Sequence, residues 1–192
     1  MSILHDRIID ISRRLKLAHL GSCLTSVDII DEIYSKKKPD DPFILSAGHA
    51  GLALYVVLEK YYGHDAEFLF SRFGTHPERC LSYHIYCSTG SLGHGFPIAV
   101  GMALADRGRD VYCLISDGEC TEGTIWEAMN VIRKYNVQNL KIHVNWNGWS
   151  AYDEVDVRML SDVVALHPGI QLWRTQVEDY GLKGLSAHYI KL

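Results

Sequence analysis

Residues 111–118 read VYCLISDG, and residues 140–148 read LKIHVNWNG. In both stretches, apolar and β-branched residues lead to a polar residue that is followed by glycine. Apolar runs of this length are typical of strands in a parallel sheet, where both faces are covered. The Asp-Gly and Asn-Gly pairs indicate loops at the carboxyl ends of the two strands. These stretches therefore predict two neighbouring strands of a buried parallel sheet.

Helix and strand patterns alternate on either side of these two strands. We predict helices over residues 3–15, 49–62, 96–107, 124–135 and 156–166, and a short helix VDIIDEIY (27–34) capped by Thr25 or Ser26. Further strands are predicted for FIL (43–45), IQLWRT (170–175) and LSAHYIKL (185–192). The alternation predicts an α/β fold with a parallel sheet and helices on both faces, in a single domain over residues 1–192.

The composition excludes several classes of protein. The chain has 192 residues, of which 47% are hydrophobic and 22% charged, and its net charge is −4. A mildly acidic chain of this kind gives no reason to expect nucleic-acid binding or a membrane partner. Five cysteines without a CxxC pair favour reduced thiols. Because no signal peptide or membrane span is recognisable, we expect a cytoplasmic protein.

The two strand ends predict a binding site. Asp117 and Asn147 are separated by one strand–helix–strand unit, so both lie at the sheet edge where ligands bind in open α/β folds. Carboxylate and amide oxygens suit Mg²⁺ or Ca²⁺, and Mg²⁺ completes its shell with phosphate oxygens and water. Gly118 allows a diphosphate to approach the backbone. Asp-Gly and Asn-Gly are also common in surface turns, so the two pairs alone leave both interpretations open.

A wider set of motifs helps to decide between a binding site and surface turns. Five segments follow one another along the chain: AHLGSCLTSVDII (18–30), FILSAGHAGLALYVVL (43–58), THPE (75–78), STGSLGHGFPIAVGMALA (88–105) and SDGECTEGTIWEAM (116–129). Together they resemble the thiamine-diphosphate-binding domain of the transketolase family. The likeness is greatest to the N-terminal subunit of split, two-chain transketolases. The resemblance implies the thiamine-diphosphate-binding fold.

The resemblance also implies roles for particular residues. Asp117, Asn147 and the carbonyl of Trp149 resemble the ligands of Mg²⁺, for which Ca²⁺ or Mn²⁺ could substitute. The residues that resemble those holding thiamine diphosphate are His49, Gly118, Asn147, and the loop Gly90, Ser91 and Leu92. His19 and His76 resemble the substrate-facing histidines of the family, which bind donor hydroxyls and assist proton transfer. Glu122 resembles the acidic residue at the subunit interface, near the catalytic glutamate of the partner.

The chain departs from the family pattern at three positions. Ser116 stands where a glycine usually precedes the metal-binding aspartate, and Thr75 replaces the glycine of a Gly-His-Pro-Glu motif. Trp149 replaces an aliphatic residue, and its bulk is expected to reshape the cofactor pocket. These departures put the substrate specificity in doubt.

The resemblance covers only half of an enzyme. In the family, a glutamate of a separate pyrimidine-binding domain activates the cofactor, and this chain has no candidate for it. We therefore expect a C-terminal transketolase-like partner subunit that carries this domain, in a heterotetramer with shared active sites. The implied reaction moves a two-carbon ketol unit from a sugar or sugar phosphate to an aldehyde. Two alternatives remain: the diphosphate-binding subunit of a 2-oxoacid decarboxylase or dehydrogenase, and a non-catalytic partner-binding module.

Overall fold

A computed structural model describes residues 2–191, without the side chain of His188. Met1 and Leu192, the ends of the predicted domain, lie outside the described residues. The strands are β1 (Phe43–Leu45), β2 (Val111–Ser116), β3 (Leu140–Trp146) and β4 (Gln171–Arg174). The helices are α1 (Ile3–Leu15), α2 (Leu20–Lys36), α3 (Gly51–Tyr62), α4 (Ala66–Phe73), α5 (Gly95–Ala105), α6 (Gly123–Tyr135), α7 (Val157–Ala165) and α8 (Ser186–Tyr189).

The four strands form one sheet in the order β1-β2-β3-β4, and every neighbouring pair is parallel. In the register of the central strands, Leu114 of β2 lies beside Leu45 on one side and His143 on the other. Parallel neighbours need crossover connections, and the helices between the strands supply them. The predicted parallel α/β sheet is confirmed.

Helices cover both faces of the sheet, as predicted. Cys113 and Ile115 of β2 join a buried cluster that contains residues of α5, α6 and α7. Leu114, between them, joins the other buried cluster, which contains residues of α1, α2, α3 and α4. Successive side chains of a strand point to opposite faces, so this division follows from the pleat. Covering both faces explains why β2 is an unbroken apolar run.

The second helix differs from the prediction. It starts at Leu20, several residues before the predicted cap, and His19 precedes it in a left-handed conformation with φ 62°. Thr25 and Ser26 therefore lie inside α2, where both are buried. Both hydroxyls accept hydrogen bonds from Nδ2 of Asn145 on β3, at 3.0 and 3.1 Å. The two hydroxyls therefore form a contact between helix and sheet, and the prediction that one of them caps the helix is wrong.

The prediction of a strand over residues 185–192 is also wrong. The segment forms the short helix α8 after two turns at Gly181 and Gly184, both of which have positive φ. Ala187 packs on α2 so closely that a Cβ atom on Gly21 would lie 2.9 Å from it. Alternating polar and apolar residues predicted a strand, but this segment packs on a helix and has no strand beside it.

Two further sequence expectations concern membranes and cysteines. Among the helices of residues 2–191, none is both long and apolar enough to cross a membrane. All five cysteines are free thiols, and four of them are buried. Burial raises the pKa of the Cys23 thiol to about 12, so this thiol packs as a small apolar side chain.

Candidate functional site

Asp117 connects the loops that follow β2 and β3. Its side chain is completely buried. Oδ1 accepts a hydrogen bond from the Gly118 amide at 2.9 Å, and Oδ2 accepts one from the Gly148 amide at 2.7 Å. Burial raises the pKa of this carboxyl to about 7, although the amide hydrogen bonds oppose the shift. A buried carboxyl between two strand ends is poorly solvated, and a bound cation would stabilise its charge.

Asn147 and Trp149 lie on either side of Gly148, in the loop that follows β3. Oδ1 of Asn147 accepts a hydrogen bond from the Trp149 amide at 2.9 Å, which turns the loop back on itself. The Trp149 ring lies against Gly184, where a Cβ atom would be only 2.9 Å away. Trp149 is thus held between the site and the C-terminal segment. Its bulk leaves no room for a side chain at Gly184.

The available ligands are the kind that Mg²⁺ prefers. Within the described part of the chain, His, Cys, Asp and Glu side chains form no group of three that could hold a metal ion. A cation at this edge would therefore rely on the Asp117 carboxylate, the Asn147 amide oxygen and backbone carbonyls. Such an oxygen set fits Mg²⁺ or Ca²⁺ and does not fit zinc or copper.

A small cavity of about 30 Å³ lies beside Gly118 and Asn147, in the loops that follow β2 and β3. Its lining includes five of the predicted cofactor and metal residues: His49, Leu92, Gly118, Asn147 and Trp149. Ser22, Ser116, Ser150 and Ala151 complete the lining. A cavity of this size holds a water molecule or two, and not a diphosphate.

A turn covers the cavity. The Ser150 amide donates to the Asp153 carbonyl at 2.8 Å, and the Ser150 hydroxyl donates to the same carbonyl. A Cβ atom on Gly118 would lie 3.1 Å from Cα of Ser150, so the turn rests directly on the Gly118 backbone. The side chains therefore suit a diphosphate and its cation, but binding requires the covering turn, residues 150–153, to move outward.

Three predicted histidines form a cluster beside the cavity. The ring of His19 is 5.7 Å from that of His49 and 6.4 Å from that of His76, measured between centroids. His49 lies in a 3₁₀ turn, Gly48–Ala50, that begins three residues after the end of β1 and leads into α3. His76 is exposed, whereas His49 reaches the cavity. This histidine cluster thus has one member at the cavity and one at the protein surface.

The predicted glycine loop packs against this cluster. A Cβ atom on Gly90 would lie 3.1 Å from the His76 ring, and one on Gly48 would lie 2.7 Å from the Gly90 amide nitrogen. Gly90 also has φ 155°, which disfavours other residues. Of the other two predicted residues in this loop, Ser91 is exposed and Leu92 reaches the cavity. Glycine is thus required where the loop, the His49 turn and His76 meet.

Glu122 lies at the other side of the same loop. It is half-buried and directly precedes α6 as its N-cap residue. A Cβ atom on Gly93 would lie 2.9 Å from Cβ of Glu122. The Thr124 hydroxyl donates to the Gly93 carbonyl at 3.1 Å, which fixes the start of α6 to the glycine loop.

Glu119 is a further buried residue beside the site, and it is not among the residues predicted from the sequence. This side chain is completely buried, and its carboxylate accepts hydrogen bonds from the Ser46 hydroxyl, the Gly93 amide and the Ser116 amide. Burial raises the pKa of the Glu119 carboxyl, and the nearby charge of Glu122 raises it further. An available signal was a second acidic residue directly after an Asp-Gly pair at the end of an apolar strand.

The chain is similar to a known family of proteins. The model of the family described as transketolase, thiamine diphosphate binding domain, matches residues 8–181. The chain belongs to this family. The resemblance drawn from the five motifs is therefore confirmed.

Among curated proteins, similar chains include components of split transketolases. The chain is 30% identical to one subunit of the apulose-4-phosphate transketolase of Phocaeicola vulgatus over 164 residues, 73% of this chain and 57% of that protein. It is 36% identical to a 6-deoxy-6-sulfo-D-fructose transketolase subunit of Clostridium sp. over 135 residues, 60% and 49% of the two chains. Human transketolase is 32% identical over 166 residues, which cover 76% of this chain and 26% of that enzyme. The chain thus spans about half the length of the split relatives it matches.

Solved transketolase structures share the fold. Transketolase from Leishmania mexicana superposes with a TM-score of 0.67 at 23% identity, covering 85% of this chain and 29% of that chain. The enzyme from Campylobacter jejuni gives 0.65 at 24% identity, covering 84% and 32%. The predicted thiamine-diphosphate-binding fold is therefore confirmed.

Proposed function

We propose that this chain binds thiamine diphosphate and Mg²⁺ and forms half of the active site of a transketolase-like enzyme. The observation that carries the proposal is the Asp117–Gly148 hydrogen bond, which joins the two strand-end loops. Five predicted cofactor and metal residues line one cavity beside that bond. The family match adds support, because it concerns the thiamine-diphosphate-binding domain of transketolases.

Each side of the cavity would contribute differently to cofactor binding. Asp117, Asn147 and the Trp149 carbonyl would hold Mg²⁺, with Ca²⁺ or Mn²⁺ as substitutes. His49 and the Gly118 backbone would bind the diphosphate, and Gly90, Ser91 and Leu92 would meet the aminopyrimidine. Thiamine diphosphate, when bound, supplies an electron sink for the carbanion of the reaction.

The histidine cluster would serve the substrate. His76 is exposed, and the ring of His19 lies near both His76 and the cavity-lining His49, so these two rings lie beside the route from the surface to the cavity. Histidine donates hydrogen bonds to hydroxyls and transfers protons near neutral pH. We assign them the binding of sugar hydroxyls and the movement of protons during ketol transfer from a sugar or sugar phosphate to an aldehyde.

The chain would work only with a partner. We expect a C-terminal transketolase-like subunit that carries the pyrimidine-binding domain and the catalytic glutamate, assembled with this chain as a heterotetramer. Glu122, half-buried beside the glycine loop, would lie at the contact with that partner. Two relatives are themselves named as subunits of transketolases, which supports a divided enzyme.

Binding and activity measurements test the proposal separately. Isothermal titration of the chain with thiamine diphosphate, in Mg²⁺ and in excess chelator, should show binding that depends on the metal. A ketol-transfer assay should give no turnover with this chain or its partner on its own, and a rate that saturates near an equimolar mixture. Turnover by the isolated chain would contradict the divided site. Absence of metal-dependent binding, even with the partner present, would favour a non-catalytic partner-binding module.

A further inference from the structure

Glu119 joins three segments of the chain that are far apart in the sequence. Its Oε1 accepts from the Ser46 hydroxyl at 2.6 Å and from the Gly93 amide at 2.9 Å, and its Oε2 accepts from the Ser116 amide at 3.0 Å. The residue itself is held in place by its own amide, which donates to the Ser116 hydroxyl at 3.2 Å. A completely buried carboxyl with three donors fixes the relative positions of all three segments.

Each of these segments leads to residues proposed above for the cofactor. Ser46 follows β1 and precedes the turn that carries His49. Gly93 closes the loop of residues 90–92, and Ser116 directly precedes Asp117. The first two segments also touch directly, since a Cβ atom on Gly95 would lie 2.6 Å from Cα of Ser46.

We infer that Glu119 is a positioning residue, which holds the glycine loop and the His49 turn at their places around the cofactor cavity. This inference rests on the proposed function and adds to it a residue that does not line the cavity. Its effect on binding would be indirect, through the Gly93 amide and the Ser46 hydroxyl.

The chemistry of the donors explains why a carboxylate is needed. Both backbone partners, Gly93 and Ser116, are N–H groups and can only donate. In a Glu119→Gln variant, the new amide nitrogen must face one of these two donors, whichever way the side chain is turned. A near-isosteric substitution thus leaves one buried N–H group without an acceptor. The Ser46 hydroxyl can rotate and accept instead, so it does not require the carboxylate.

Glu119→Gln is therefore the main test, with two readouts on the full chain. Hydrogen exchange of the Gly93 and Ser116 amides, followed by NMR without cofactor, should become faster by about tenfold at whichever of the two faces the new amide nitrogen. The affinity of the folded chain for thiamine diphosphate in Mg²⁺ should fall by a similar factor, about tenfold. The matched control is Glu127→Gln, an exposed glutamate on α6, which should change neither quantity.

A milder variant keeps the test valid if Glu119→Gln folds poorly. Ser46→Ala removes one donor and keeps both amide hydrogen bonds, so it should weaken cofactor binding only about threefold. The double variant should lose less binding free energy than the sum of the two single losses, because both substitutions affect the hydrogen bond between Ser46 and Glu119.

Two results would overturn the inference. One is a Glu119→Gln chain with parental exchange at both the Gly93 and the Ser116 amide. The other is a lower melting temperature with parental cofactor affinity, which would leave Glu119 a purely structural role. If the parent chain fails to bind thiamine diphosphate in Mg²⁺ even with the partner present, the proposed function is wrong. The exchange measurement still decides in that case whether Glu119 holds the glycine loop.

Discussion

The centre and the outer edge of the sheet differ in how firmly polar side chains are held. At the carboxyl ends of β2 and β3, Asp117 and Glu119 are completely buried, and each accepts hydrogen bonds from two backbone amides. At the outer edge, three of the four residues of β4 are exposed, and the segment after β3 rests on the site through one turn. The centre thus fixes the positions of the site residues, whereas the outer part covers them.

The largest effect should follow from removing the central carboxylate. Asp117→Ala should weaken binding of thiamine diphosphate in Mg²⁺ by at least about a hundredfold, since a cation loses its charged ligand. Titration calorimetry measures the loss, and circular dichroism checks that the variant is folded. Asp153→Asn is the control, because this exposed aspartate lies on the covering turn and should leave the affinity unchanged. Equal losses of affinity in both variants would mean that the central carboxylate matters no more for binding than an exposed residue of the covering turn.

His143 joins the centre to the outer edge and should make stability depend on pH. It is buried on β3, and its Nδ1 accepts a hydrogen bond from Nε1 of Trp173 on β4 at 3.1 Å. Burial lowers the pKa of His143 from 6.5 to about 4, so the unfolded chain binds the proton first as the pH falls. Stability should therefore decrease between pH 6.5 and 4, by about 3 kcal/mol in total.

Urea unfolding of the parent and of His143→Gln at several pH values isolates this contribution. The difference in unfolding free energy between the two proteins should shrink as the pH is lowered through this range and level off below it. A constant difference would mean that His143 has a similar pKa in the folded and unfolded chains. The edge strand would then leave the ring accessible to water.

Asn145 provides a third test at the centre. Its side chain is buried on β3, donates to the hydroxyls of Thr25 and Ser26, and accepts from the Thr175 hydroxyl at 2.6 Å. Asn145→Ala should lower the free energy of unfolding by about 2 kcal/mol, because all these hydroxyls lose a partner away from bulk water. Asn130→Ala, at an exposed position on α6, should change it little. A similar small change in both would show that the helix–sheet contact is replaced by water.

The difference between the buried centre and the exposed edge of the sheet also explains which parts of the fold could be predicted from the sequence. β2 and β3 are covered on both faces, so their apolar runs are compatible only with buried strands. The ends of those runs predict where Asp117 and Asn147 lie. The segment of residues 185–191 has no such constraint. Among its described side chains it buries little besides Ala187, and its alternating pattern suits a short helix against α2 as well as a strand.

Hydrogen bonds between buried side chains that are far apart in the sequence could not be predicted. The roles of Thr25 and Ser26 depend on Asn145, more than a hundred residues away in the chain. Glu119 likewise receives donors from Ser46 and Gly93, which only the fold brings to it. Local patterns predict where a chain turns, but they do not show which buried donor meets which acceptor.

The smallest effect is expected where the outer part holds the covering turn. The Tyr189 hydroxyl donates to the Ala151 carbonyl at 2.6 Å, and this tyrosine is 55% exposed. Because water can replace an exposed hydrogen bond, Tyr189→Phe should change the unfolding free energy by no more than about 0.5 kcal/mol. If the turn moves outward for the cofactor, losing this restraint should raise affinity for thiamine diphosphate by about twofold. Tyr152→Phe, on the same turn and 86% exposed, should alter neither quantity. A stability loss above about 1 kcal/mol in Tyr189→Phe would mean that the edge is held as firmly as the centre.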